Sequence, residues 1–210
     1  MKSLNHYNKI ADLFRYPDEN LVSNAKATLN IVQEIYPEMS QKMTDFLENI
    51  EKSDLKSHQE YFMKTFDVAA ICFLDLGYVM FGEDYKRAQL LVNLQKEHVI
   101  AGVDCGKELA DHLPNVLCLL SKTLNPEFAE ELGFIITMPT VRFMLTKFQN
   151  IDNYYKDLLE VLVYMLQNDF KGEELKGFAF AEEKFNGKNE FLMPSPKMTV
   201  CDSNCKQKRF

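Results

Sequence analysis

No glycine occurs before Gly77, and only Pro17 and Pro37 interrupt that first third of the chain. Sheet proteins reverse direction every ten residues or so and use Gly and Pro at the turns. A stretch this poor in both has to be built from elements that turn seldom. Its apolar side chains recur with the helical period. Leu4, Tyr7, Ile10, Ala11 and Phe14 form one stripe, which ends at Tyr16-Pro17 because the residue before a proline is driven out of the α region. A second helix is predicted from Asp18, with Leu21, Val22, Ala25, Leu29 and Val32 on its apolar face. Pro37 suits the first turn of a third helix carrying Met43, Phe46, Leu47 and Ile50. Ser53 or Asp54 can cap a fourth, in which Tyr61, Phe62, Thr65 and Phe66 face inward.

The run Val68–Phe81 is apolar on nearly every side, broken only by Asp75, and predicts the central helix of the core, ended by Gly82. Glu83 and Asp84 favour a helix N-terminus and open a long helix to Ala101, with Leu90, Leu91, Leu94, Val99 and Ile100 as its apolar residues. After the loop Gly102–Leu109, Asp111 is expected to cap a helix with Pro114 in its first turn and Leu117, Leu120 and Leu124 inward. Two more helices follow, Glu127–Phe148 with a kink at Pro139, and Asn153–Phe170. From Lys171 the stripes stop, and Gly172, Gly177, Gly187, Pro194 and Pro196 fall among alternating charges. The expected architecture is all-α: one bundle-like domain of eight or nine helices over residues 1–170, then a mobile or extended C-terminal tail over 171–210.

A chain of 210 residues, 46% hydrophobic and 26% charged, can bury a core without disulfides or a structural metal. Its net charge of −7 argues against a general affinity for nucleic acid or an anionic membrane surface. The charge is unevenly spread. Residues 171–210 hold eight Lys or Arg against six Asp or Glu, a tail of +2, which leaves −9 on the helical body. Val68–Phe81 falls short of the ~20 residues a membrane span requires. The N-terminus shows no apolar signal-peptide core and no twin-arginine leader, and the five cysteines are an odd number, with Cys72 and Cys118 inside apolar runs. A reducing cytoplasm is the expected compartment.

Catalytic signatures are sparse. The sequence contains no Gly-x-Gly-x-x-Gly, no Gly-Lys-Ser/Thr loop and no Gly-x-Ser-x-Gly. Asp104, Cys105, Glu108, Asp111 and His112 are the best local set of metal-ligand types, and Cys201 and Cys205 make a pair in the tail. A helical metal- or redox-active protein using Cys105, Glu108 and His112 or Cys201 and Cys205 is therefore the alternative reading; the favoured one has no metal and no cofactor. Aromatic and acidic residues are dense between Tyr61 and Pro114. They read either as core with a solvated rim, or as an apolar groove with an acidic rim that would capture a basic amphipathic peptide.

Residues 60–122 resemble the nitrate reductase delta-subunit family, the dedicated assembly chaperones of molybdopterin oxidoreductases, akin to the trimethylamine-oxide reductase chaperones. The resemblance rests on Tyr78, Phe81, Gly82 and Glu83, on the Arg87–Leu94 helix, on Glu108-Leu109-Ala110-Asp111-His112-Leu113-Pro114, and on Leu13-Phe14-Arg15-Tyr16-Pro17-Asp18-Glu19. Ala110 and Ala88 depart from the family's usual Pro and Gly. The resemblance implies an all-α, non-enzymatic redox enzyme maturation protein. Its expected partner is the catalytic subunit of a molybdopterin oxidoreductase, nitrate-reductase-like, held through an N-terminal or twin-arginine leader peptide until the molybdenum cofactor is inserted. It implies a monomer or a helix-exchanged dimer. Its expected peptide-binding residues are Tyr78, Phe81, Gly82, Glu83, Arg87, Glu108, Asp111, His112, Leu113 and Pro114. Arg87 is also placed to pair with Glu83 four residues earlier, and the +2 tail is able to compete for the same groove.

Overall fold

The structure, a computed structural model, describes residues 3–171 together with Phe180 and Ala181. The rest of the expected tail, including Cys201 and Cys205, lies outside the described residues. The helices are α1 (His6–Asp12), α2 (Leu21–Ile35), α3 (Ser40–Glu51), α4 (Leu55–Phe66), α5 (Leu76–Phe81), α6 (Tyr85–Ala101), α7 (Leu113–Lys122), α8 (Pro126–Glu130), α9 (Met138–Thr146) and α10 (Tyr154–Asp169). A 3-10 turn, Pro37–Met39, leads into α3, and a π-helical stretch, Glu131–Thr137, joins α8 to α9 in one continuous rod. Counted as rods, the described residues hold nine helices, and the expected all-α bundle is what forms.

Local chemistry explains most boundaries. Asp54 accepts from the Ser57 N–H at 2.9 Å, Asp84 from Lys86, Asn125 from Glu127 and Phe128, and Asn153 from Tyr155, so four helices start on a side chain that satisfies an orphan amide. Gly102 ends α6 in the left-handed region, at φ 63°, where a Cβ would be strained.

The core is centred on α7, which is buried without a break from Leu113 to Leu120 and packs on α1, itself laid against α2. On the other side α10 packs on α3 and α9, and Tyr155, Leu158, Leu159 and Leu162 are fully buried. The central helix is therefore not Val68–Phe81. That run is a loop as far as Asp75, followed by the six-residue α5. The Ile71 and Cys72 N–H groups both turn back to the Thr65 carbonyl, at 2.9 and 3.3 Å, and Ala69 takes φ 55°. A continuous buried helix would have sealed the Asp75 carboxylate among apolar side chains with no partner; the loop instead delivers it to a cation.

Other boundaries also shift. The first helix stops at Asp12, although Leu13 and Phe14 are still fully buried in the turn that follows. Asp18 does not open α2 but accepts from the Asn20 N–H at 2.8 Å in the turn before it. Val99, Ile100 and Leu124 point outward, at 72, 76 and 91% exposure, because α6 touches the body through only one face and Leu124 follows the end of α7. The kink expected at Pro139 lies upstream, as the π-helical stretch Glu131–Thr137, with Pro139 in the first turn of α9. There the Thr137 hydroxyl donates to the Leu132 carbonyl at 2.7 Å, and Gly133 passes so close to Phe170 that a Cβ would sit 2.5 Å from its ring.

The two ends of the described body are tied together. Tyr36 Oη, at the end of α2, donates to Asp169 Oδ2 at 2.6 Å, and His6 Nε2 lies 2.7 Å from the same oxygen. Among the described residues no helix is long and apolar enough to cross a membrane.

Candidate functional site

Of the aromatic and acidic residues between Tyr61 and Pro114, Asp75, Tyr78, Glu83 and Asp111 meet where α5, the start of α6 and the loop before α7 come together, whereas Tyr61, Phe62 and Phe66 pack on Tyr154 and Tyr155 of α10. The framework is a single antiparallel bridge between extended residues Asp75 and His112. Leu76 N–H donates to the Asp111 carbonyl and Leu113 N–H to the Leu74 carbonyl, each at 2.9 Å. The bridge holds the two motif segments side by side although 37 residues separate the paired positions.

Arg87, in the first turn of α6, reaches across this frame. Its Nε donates to Asp111 Oδ2 at 3.1 Å; its two terminal nitrogens lie 3.8 Å from Asp75 and from Glu83; and its guanidinium sits 5.3 Å from the centre of the Tyr78 ring. Asp75 in turn accepts from His112 Nδ1–H at 3.1 Å. The local pairing of Arg87 with Glu83 thus exists, but the shorter contact is the tertiary one. Asp111 does not cap α7: its side chain is fully buried against Arg87, and residue 112 occupies the cap position. Burial pushes the Asp111 carboxyl above the usual carboxylate range, against the pull of Arg87 in the opposite direction. Its second oxygen, Oδ1, has no hydrogen-bond partner among the described residues.

Gly77 is what allows α5 to lie on this pair, since a Cβ there would stand 2.6 Å from Asp111 Oδ2 and 3.2 Å from Arg87 Cγ. His98, fully buried on α6, donates from Nε2 to the Ala110 carbonyl at 3.0 Å and ties the helix to the loop carrying Asp111. Burial holds its pKa below the usual histidine value, so the ring is neutral at pH 7.

Behind α5 lies a cavity of about 200 Å³, walled by Cys72, Phe73, Tyr78 and Val79 on one side and, on the other, by Phe143 and Met144 of α9 and Lys147 just after it. Phe73 and Tyr78 meet edge to face, with ring centroids 5.1 Å apart. Gly82 closes one end at φ 64°, a backbone that side chains other than glycine rarely adopt.

Of the expected peptide-binding residues, Tyr78 and Gly82 line this cavity, and the neighbours of Gly82 in the chain, Phe81 and Glu83, are half-buried and exposed. Glu108 is exposed on the loop before α7. Arg87 and His112 are half-buried members of the ion-paired frame, whereas Asp111, Leu113 and Pro114 are buried and offer no free surface. Asp75 and Gly77 escaped sequence reading because their work is tertiary; the one visible signal was an acid inside an otherwise apolar run. The α9 wall carried no signal at all.

Glu108 and His112 do not share a helical face, because the chain from Val103 to His112 is not helical. Among the described residues no group of three or more His, Cys, Asp or Glu is disposed to hold a metal ion. What the site offers is recognition chemistry: an apolar cavity floored by aromatics, beside three carboxylates, Asp75, Glu83 and Asp111, that outnumber Arg87.

No family model matches the chain. A Bacillus subtilis protein described as a probable nitrate reductase molybdenum cofactor assembly chaperone, NarJ, is 25% identical over 173 residues, which is 81% of this chain and 93% of that one. The chain is similar to an assembly chaperone. The likeness extends beyond the stretch 13–122 that carries the sequence motifs, since a match of 173 residues cannot fit inside it. The crystal structure of an Archaeoglobus fulgidus protein assigned to redox enzyme maturation shares the fold, with a TM-score of 0.55 at 17% identity, over 80% of this chain and 95% of that one.

Proposed function

We propose that this protein is a cytoplasmic, system-specific chaperone, not an enzyme, that binds the N-terminal segment of an apo molybdopterin oxidoreductase catalytic subunit and assists insertion of the molybdenum cofactor. The observation that carries the reading is the aromatic-lined cavity, to which the motif residues Tyr78 and Gly82 contribute, beside the carboxylates around Arg87, in a chain similar to the assembly chaperone of Bacillus subtilis. A leader peptide combines basic residues with an apolar stretch. The −9 body attracts the first over a distance, and the cavity behind Tyr78 and Gly82 receives a side chain of the second. Glu83 and Asp75, both paired with Arg87, supply the acidic charge beside the cavity. Arg87, Asp111 and His112 hold α5 and these carboxylates in register and act as positioning residues.

The test is isothermal titration of the full chain with a synthetic peptide of the first ~30 residues of a co-encoded molybdenum enzyme catalytic subunit, a length typical of such leaders. Binding that weakens as salt rises is expected. A folded protein that shows no heat of binding at low salt overturns the proposal. R87A should weaken binding while the far-ultraviolet dichroism stays helical; loss of helicity in step with binding would assign Arg87 to the fold alone.

A further inference from the structure

The cavity behind α5 is lined in part by Ala181, and the preceding residue, Phe180, packs on the cavity's Phe143 wall. The Phe180 ring stacks on Phe143 with centroids 4.3 Å apart and planes 7° from parallel. Ala181 is buried, lines the cavity, and stands 3.4 Å from where a Cβ on Gly82 would be. A methyl group lining an apolar cavity, held by an aromatic ring stacked on one of the cavity's walls, removes from water apolar surface that an incoming apolar side chain would also cover. The sequence around them matches the apolar half of the client rather than its charge: Phe178, Ala179, Phe180 and Ala181 form a short apolar run flanked by both Lys171, Lys176 and Lys184 and Glu173, Glu174, Glu182 and Glu183.

We propose that Ala181, anchored by Phe180 on Phe143, is an internal cover of the cavity, a pseudo-client that an entering apolar side chain must displace. The inference rests on the proposed function for the identity of the competitor, but the seating itself is independent of it. Occupancy by the chain's own segment lowers apparent affinity by the fraction of molecules left open, and removing the segment's anchor restores it. The glycine at position 82 fits the same picture, since any side chain there would meet Ala181 as well as adopt a strained backbone.

The chain contains no tryptophan, so F180W introduces a single indole reporter into the full-length protein. Its emission is expected to be blue-shifted and shielded from acrylamide, and to become solvent-like in F180W/F143A. Solvent-like emission already in F180W overturns the seating. In parallel, F180A in the full chain should bind several-fold more 1-anilinonaphthalene-8-sulfonate than wild type, whereas F180L, which keeps an apolar anchor, should match wild type; equal dye binding by F180A overturns the cover. With the leader peptide, F180A is expected to bind about three- to tenfold more tightly than wild type, and peptide binding should shift the F180W emission to the red. Calorimetric binding with no change in emission overturns displacement while leaving the chaperone reading intact. No binding by either wild type or F180A overturns the chaperone reading, and the dye and emission results still decide the cover.

Discussion

Arg87 meets Asp111, Asp75, Glu83 and the face of Tyr78 with a side chain that is only 14% exposed. Asp111, at its shortest contact, is fully buried. Removing one partner of a buried pair leaves the other charge uncompensated. D111A should therefore destabilise by about 2–4 kcal/mol, somewhat less than for an isolated buried pair because Asp75 and Glu83 remain near the arginine. D111N should cost less, because it keeps the shape and a carbonyl oxygen that can accept from Arg87. Urea unfolding of the two variants ranks them, and equal costs would contradict this account. His98 sets a pH dependence. Its folded pKa lies below the 6.5 of a free imidazole, so its buried neutral form contributes stability that is present above pH 6.5 and lost as pH falls through the folded value. Melting temperature should drop between pH 7 and 5, and H98Q should flatten that drop. At this scale the sequence pointed to Tyr78, Glu83, Arg87, Asp111 and His112, but the role of Asp111 as a buried counter-ion was not legible. A helix cap and a tertiary ion pair use the same residue type in the same place before a helix.

Among the elements, the rod from α8 to α9 shows how packing overrides local preference. Proline at 139 accounts for a break in the helical ladder, yet the widening falls at Glu131–Thr137, where Gly133 lies against the Phe170 ring. G133A should force a Cβ into that ring and cost roughly 1–3 kcal/mol by overpacking. For a domain of this size that is a fall in melting temperature of about 2–12 °C. An unchanged melting temperature would mean that the rod shifts freely. The helical period predicted α2, α3, α4, α6 and α10 to within a few residues, because each carries one apolar stripe and a recognisable cap or stop. It failed over Val68–Phe81, where an apolar run on all sides is equally the signature of a buried loop and short helix, and where Asp75 was the only discriminating residue. It also misplaced Val99 and Ile100, since periodicity marks an apolar face but not whether a neighbour covers it.

Across the whole molecule, the ends are joined by His6, Tyr36 and Asp169, with the two ring-bearing partners on one carboxylate oxygen. Y36F removes a 2.6 Å hydrogen bond to a charged group and should destabilise by about 1.5–3 kcal/mol. Hydrogen exchange should quicken at the N-terminal residues of α1 and the last turn of α10 together; quickening at only one end would show that the tie does not couple them. The all-α class, the acidic body and the motif positions follow from sequence, because turn scarcity, charge count and helical period are properties of the chain read in order. The site is different in kind. Asp75 comes to Arg87, α9 comes to face α5, and Phe180 comes to rest on Phe143 only after the chain has folded. A cavity is a relation between surfaces distant in sequence, and its walls, partners and cover are decided by how the helices pack rather than by any one segment's composition.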